Sequence, residues 1–319
     1  MNGILPLLKP AGMTSASCVL NARILLGEDR AGHSGTLDPN AAGVLPIAIG
    51  RATKLIEYMD APSKTYRCEC VFGIESETGD IWPKTAEGIA YGADREPDGS
   101  RKGGGQWPSL EELAEAVKSF EGEREQLPPM YSSVRVAGRH LYEYARSGQS
   151  VDVKPRRVTI SRMELVKYDR AAGLFSFDIE CSRGTYVRSV CIELGEMFGT
   201  CASMSCLIRT SCCGFDINEC VSFEQLAAAE DRASLILPAD RAVIGLGKAF
   251  IGSSFHERLF CGGNAVSLKK ARVSLDEELF GDVVAVYGRT LGLLGVGRTS
   301  EEDGALTLRP VKVTYDKGI

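Results

Sequence analysis

The chain has 319 residues, 44% of them hydrophobic and 25% charged, the balance of a soluble globular protein with room for two domains and a real core. A net charge of −5 argues mildly against a nucleic-acid partner, and no apolar run approaches the roughly 18 residues of a membrane-spanning helix. The 11 cysteines form no C-x-x-C pair and only three histidines accompany them, which fits reduced, buried thiols in a cytoplasmic protein better than a zinc or disulfide framework.

At the N-terminus, "MNGILPLLKPAGMTSAS" lacks a basic n-region and is interrupted by Pro6 and Pro10, so it does not read as a signal peptide. Next comes "AGHSGTLDPNAAGVLPIAIGRATK", Ala31 to Lys54, in which Asp38 is the only carboxylate. Pro39 restricts Asp38 to an extended backbone, while Gly35 and Gly43 permit tight turns or a close approach to a ligand. An acid among apolar residues costs free energy unless it is paired. Beside an arginine it stays ionised and available as nucleophile or base. An isolated Asp-Pro turn would be ordinary. Only Arg30 and Arg51 lie near in sequence, so the partner is expected from a distant segment.

Farther along, "KTYRCECVFGIES" places Tyr66, Cys68, Cys70 and Phe72 on one face of a half-buried strand. The Gly-rich, charged stretch from about Trp82 to Pro108 reads as a surface loop or insertion. Ser109 and Glu112 form a capping box for a helix in "SLEELAEAVKSFEG", with Leu110, Leu113, Val117 and Phe120 on one face and Gly122 at its end. Met130 to Arg162 carries Arg135, Arg139, Arg146, Lys154, Arg156, Arg157 and Arg162 against Glu143 and Asp152, a local charge of +5. Such a stripe either tracks a phosphate backbone or is a solvated loop, and charge alone does not choose.

"LFSFDIECSRG" alternates Phe175, Phe177, Ile179 and Cys181 inward, and "TYVRSVCIELGEMFG" then takes helical spacing through Val187, Val190, Leu194 and Phe198. Arg188 falls one turn into that helix, where side chains commonly converge on a site, although spacing alone fits a surface arginine equally well. Tyr66 and Tyr186 suit either base stacking or half-buried structural positions, and His33 alone reads as a turn residue. Beyond Leu237 to Gly247, short strands broken by glycines suggest a small β-barrel, with a boundary near Gly245. Strands lead into helices without regular parallel alternation, which predicts an α+β fold with a mixed, largely antiparallel sheet.

Five blocks, in order, resemble one family. "GHSGTLDPNAAGVLPIAIGRATK" is similar to the catalytic motif of the TruB family, the bacterial tRNA pseudouridine-55 synthases. "KTYRCECVFGIESETGD", "QLPPMYSSVRVAGRHLYEYARSG", "CSRGTYVRSVCIELGEMFG" and "CLIRTSCCGF" resemble its tyrosine-bearing strand, its thumb segment and two later elements. The resemblance implies a pseudouridine-synthase catalytic domain over residues 1–244, a thumb insertion at about 126–155 and a PUA-like RNA-binding domain over 245–319. By the same likeness Asp38 is the catalytic aspartate, Arg188 its partner and Tyr66 the residue that stacks on the target base. Tyr186 and Leu207 line the uridine pocket, and His33 supports the distorted T loop. Arg135, Arg139, Arg146, Arg183 and Arg209 are the implied RNA-backbone contacts. The implied substrate is the T stem-loop of tRNA, bound by a cytoplasmic monomer that needs no cofactor, metal, membrane or protein partner.

The departures bear on RNA affinity more than on chemistry. Leu207-Ile208-Arg209 stands where the family has a paired L-R-R, Ser133 and Arg135 replace its alanine and lysine, and Arg183 replaces a lysine. A non-catalytic RNA-binding protein would have no use for a partly buried acid facing a polyanion, so Asp38, Tyr66 and Arg188 together favour the enzyme.

Overall fold

The computed structural model describes residues 1–59, 63–82, 89–91, 94–96, 100–102, 106–302 and 304–315. The chain divides into two compact units, one formed by Met1–Pro39, Gly43–Ala61 and Cys212–Ile319, the other by Asn40–Ala42 and Pro62–Ser211.

In the first unit, the strand Gly3–Lys9 pairs antiparallel with Ala42–Ile49 from Gly3 opposite Ile49 to Lys9 opposite Gly43. The short strand Ala31–His33 pairs with the same partner, Ala31 opposite Ile49 and His33 opposite Ile47. Between these strands runs the helix Ser15–Leu26, capped by the Thr14 hydroxyl accepting from the Ser17 amide and closed by Gly27 in the left-handed region. Its buried residues Ser15, Cys18, Ala22 and Leu26 recur every three to four positions, and the apolar ones pack on Leu5, Leu7, Leu45, Ile47 and Ile49.

The C-terminal part of this unit is a six-stranded sheet in the order Val266–Ser267, Ala305–Val313, Gly292–Glu302, Val283–Gly288, Lys248–Ile251 and Val273–Ser274. The pairing is antiparallel except between Lys248–Ile251 and Val283–Gly288. A register shift lies between Val296 and Gly297, next to Gly295 at a φ of 148°, where a Cβ would collide with the Lys312 carbonyl. Such a bulge bends a strand and lets a sheet curl around its own core, here Ala249, Ile251, Phe260, Val284, Val286, Leu294 and Leu308.

In the second unit the strand order is Ala202–Cys212, Ser63–Phe72, Leu174–Ser182, Arg156–Asp169 and Gly122–Gln126, and the last four pair antiparallel. Tyr66 lies opposite Ile179, Cys68 opposite Phe177 and Cys70 opposite Phe175, so the two predicted alternations share one buried face. The helices Leu110–Lys118 and Val187–Met197 pack over the unit's core. Cys68 Sγ lies 3.6 Å from Cys191 Sγ on the second helix. Burial pushes the Cys68 and Cys70 thiols well up, so they serve as small apolar groups. All the cysteines are free thiols, and no metal-holding cluster occurs among the described residues. Nor, among them, is any helix long and apolar enough to cross a membrane.

Four local expectations differ from the fold. The capping box forms as read, but Leu110, the first helical residue, is 56% exposed, while Leu113, Val117 and Phe120 carry the burial. Gly122 opens a strand instead of closing the helix, which ends at Lys118. Arg188 is the second residue of its helix. Within the stretch read as a loop, Trp107 is buried and stacks on Phe72 at 5.6 Å, and Ile74–Ser76 pairs with Ile89–Tyr91. Residues 83–88, 92–93, 97–99 and 103–105 of that stretch lie outside the described residues.

The Trp107 seat makes a test of packing against backbone strain. Gly173 has a φ of +57° and a Cβ there would come within 2.7 Å of Trp107 Nε1, whereas Gly184, at +84°, has open space. Gly173→Ala is expected to cost about 2–4 kcal/mol, left-handed strain plus overpacking, and Gly184→Ala only about 1–2 kcal/mol. Urea denaturation measures both, and equal losses would refute the packing half.

Candidate active site

The loop carrying Asp38 is gripped on either side of the acid. The buried Ser15 hydroxyl accepts from the Leu37 amide at 3.0 Å and lies 3.2 Å from the Leu37 carbonyl, to which it donates. The Pro39 carbonyl accepts from the Gly12 amide and from Lys9 Nζ, each at 2.9 Å. Lys9 is fully buried at the end of its strand, and it also donates to the Pro10 carbonyl at 3.0 Å. A buried ammonium is tolerated only with such partners. Earlier in the loop, the Ser34 amide donates to the Pro46 carbonyl at 3.2 Å, continuing the pairing that seats His33. Asp38 itself is partly exposed, and the residues on either side of it are held.

The second unit carries Tyr66, Tyr186, Arg188 and Leu207. Tyr66 is nearly buried on the strand that also bears Cys68, and Arg188 precedes Cys191 by three residues on its helix, so the Cys68–Cys191 contact ties the two elements together. Arg188 is only 4% exposed, and it donates to the Thr78 carbonyl at 2.7 Å and to the Tyr131 carbonyl at 2.9 Å. Thr78 in turn donates to the Asp80 carboxylate at 2.8 Å. The Tyr131 hydroxyl donates to Glu77 at 2.7 Å, and that bond, with burial, raises its pKa. Tyr186 caps the Arg188 helix and is held at both backbone groups by the buried Gln126, whose Oε1 accepts from the Tyr186 amide at 2.7 Å and whose Nε2 donates to its carbonyl at 3.1 Å.

The basic segment mixes exposed cations with buried apolar residues such as Val134, Leu141, Val158 and Ile160. Arg135 and Arg139 lie in a small hairpin whose turn residues Ala137 and Gly138 both have positive φ, the geometry of a tight two-residue loop. Arg139 lies over Tyr144 at 4.5 Å and Arg146 over Tyr142 at 5.2 Å, so aromatic rings splint two of the cations without neutralising them. Arg135, Arg139, Arg146, Lys154, Arg156, Arg157 and Arg162 are all exposed, and Arg183 is exposed on the turn before the Arg188 helix. Arg209 differs. It is 0% exposed, two residues after the buried Leu207 on one strand and therefore on the same face, not on the surface where a phosphate would meet it.

Sequence reading missed Lys9, Ser15 and Gln126. A lysine between apolar strand residues and Pro10 was a usable signal for the first. Nothing local marks the others, because Ser15 acts 22 residues away and Gln126 acts 60 away.

Ser15→Ala removes both bonds to Leu37 and leaves a buried amide and carbonyl unmatched, an expected loss of about 1–3 kcal/mol. Thermal denaturation measures it, and an unchanged midpoint would show that the hydroxyl does not hold the loop.

Comparison with known proteins bears on what this arrangement does. Residues 23–187 match the model of the TruB family pseudouridylate synthase (N terminal domain), and residues 188–244 match that of the tRNA pseudouridylate synthase B C-terminal domain. The tRNA pseudouridine synthase B of Bacillus subtilis (strain 168) is 36% identical over 323 residues, spanning 99% of each chain. That of Alkaliphilus oremlandii (strain OhILAs) is 38% identical over 287 residues, 90% of each chain. Among solved structures, a Cbf5–Nop10–Gar1 complex aligns with 99% of this chain and 85% of its own at a TM-score of 0.71 and 23% identity. An H/ACA RNP bound to a substrate RNA containing 2′-deoxyuridine aligns with 99% and 86% at 0.70 and 22%. The structural likeness is one of fold, and it bears out the α+β catalytic architecture with a barrel-like C-terminal part. By sequence, the chain belongs to the TruB family of pseudouridylate synthases.

Proposed function

We propose that Asp38 is the single carboxylate with which this tRNA pseudouridine synthase isomerises the T-loop uridine at position 55. The reaction breaks the bond from C1′ to N1 of the base, turns the base, and joins C1′ to C5, while the proton on C5 leaves and one is taken up at N1. Positive charge builds on the sugar as the glycosidic bond breaks, and a fixed carboxylate stabilises that charge or attacks it. Atoms are redistributed within one nucleotide, so no cofactor belongs to this reading. The observation that carries it is the grip on Leu37 and Pro39, because a backbone held on both sides fixes where the Asp38 carboxylate starts from.

The other predicted residues take further roles in the reaction. A uridine in a folded loop must leave its stack before it can react, and Tyr66, Tyr186 and Leu207 offer the flat and apolar walls that receive it. Arg188, with its position set by the Thr78 and Tyr131 carbonyls, takes a substrate-binding role. His33 supports the T loop. The exposed arginines Arg135, Arg139, Arg146 and Arg183 contact the RNA backbone, whereas the burial of Arg209 suits an internal bracing role better. In domain terms the catalytic part is residues 1–244 with a thumb at about 126–155, and residues 245–319 form a PUA-like RNA-binding domain. The enzyme acts as a cytoplasmic monomer on tRNA without a further protein.

Two measurements test this. Wild type should convert one T-loop uridine in an unmodified tRNA transcript, mapped at nucleotide resolution, and Asp38→Asn should bind that transcript without converting it. Equal conversion by both would remove Asp38 as the catalyst. For the basic segment, affinity should fall steeply with salt, and replacing Arg139 and Arg146 by glutamine should lower the slope of log affinity against log salt by about two. An unchanged slope would remove these arginines from the RNA.

A further inference from the structure

Trp82 combines wide exposure with a fixed orientation. Its side chain is 52% exposed, while its indole Nε1 donates to the Ser205 carbonyl at 2.6 Å. Its amide donates to the Asp80 carboxylate at 3.3 Å and its carbonyl accepts from Asn40 Nδ2 at 3.4 Å. The ring is thus tied at its edge and the residue at both backbone groups, while about half of the residue's surface stays open. A large aromatic ring left exposed on a soluble surface and held still is a preformed stacking surface, since the entropy of ordering it is already spent.

Its anchors belong to the elements that carry the candidate site. Ser205 lies two residues before Leu207 on one strand. Asp80 accepts from Thr78, whose carbonyl holds Arg188. Asn40 follows Asp38 by two residues in the chain. An RNA whose reactive base has left its stack exposes the faces of the neighbouring bases, and those are the natural occupants of a fixed aromatic face. Resting on the functional reading above, we infer that Trp82 stacks on an unpaired nucleobase of the tRNA T loop other than the uridine that reacts. Trp82 is on this view a positioning residue for the substrate.

The protein offers its own reporter, because the sequence contains two tryptophans and the other, Trp107, is 2% exposed. Asp38→Asn, titrated with an unmodified T-arm stem-loop RNA, should lose part of its indole emission on binding. In Asp38→Asn/Trp82→Phe that loss should vanish while Kd stays within about threefold, since the aromatic face is kept. In Asp38→Asn/Trp82→Ala, Kd should rise about tenfold, within the range for a base deprived of its aromatic partner. Thermal melts of the three proteins establish that each is folded. Binding with unchanged Kd in the alanine form, or quenching that persists without Trp82, would overturn this inference and leave the functional reading intact. Failure of every form to bind the RNA would overturn both.

Discussion

A buried polar side chain that closes on both backbone groups of one residue recurs in each unit of this protein, and the proposed chemistry depends on it. Ser15 does this to Leu37, and Gln126 does it to Tyr186. Lys9 adds a charge-assisted grip on Pro39. Each bond contributes only about 0.5–1.5 kcal/mol net, yet breaking one leaves a buried group unmatched at a larger cost. A functional loop needs exposure, and exposed loops move. The grips resolve that conflict by fixing the residues on either side of Asp38 while leaving the acid partly open.

Charge is arranged to the same end. The chain is acidic overall, yet residues 130–162 carry a local charge of +5 on exposed side chains, with tyrosines beneath two of the arginines. On the proposed reading, a local positive field of this kind would draw a polyanion to that segment without making the whole surface sticky. The cations whose position has to be accurate, Lys9 and Arg188, are instead buried and held by carbonyls. Long-range attraction and short-range positioning thus fall to different residues.

Much of this was legible in the sequence because it is periodic or local. The alternation in the strands Ser63–Phe72 and Leu174–Ser182, the capping box of Ser109 and the proline-fixed aspartate are all read from neighbours in the chain. The misreadings have physical causes. Leu110 sits where a helix begins and its side chain has no preceding turn to cover, and Gly122 was free to open a strand because Ser119 already ended the helix. Trp107 is buried in spite of its glycine-rich surroundings because Gly173, lacking a side chain, lets the ring settle on Phe72. Arg209 belonged to the same strand face as Leu207, and the period of two, applied to that pair, argues for shared burial. The grips of Ser15 and Gln126 link residues far apart in the chain, which local patterns do not encode.

If the grips set the position of the carboxylate, its charge alone will not sustain catalysis. Asp38→Glu keeps the charge and displaces it by one methylene on a backbone that cannot yield. The direct test is the single-turnover rate of pseudouridine formation at saturating tRNA, compared with wild type. A fall of about a hundredfold or more with unchanged RNA affinity is expected, the scale of an ångström's misplacement of a reacting group. A rate within about threefold of wild type, small against that hundredfold scale, would contradict the claim that fixed backbone geometry positions Asp38 for the reaction.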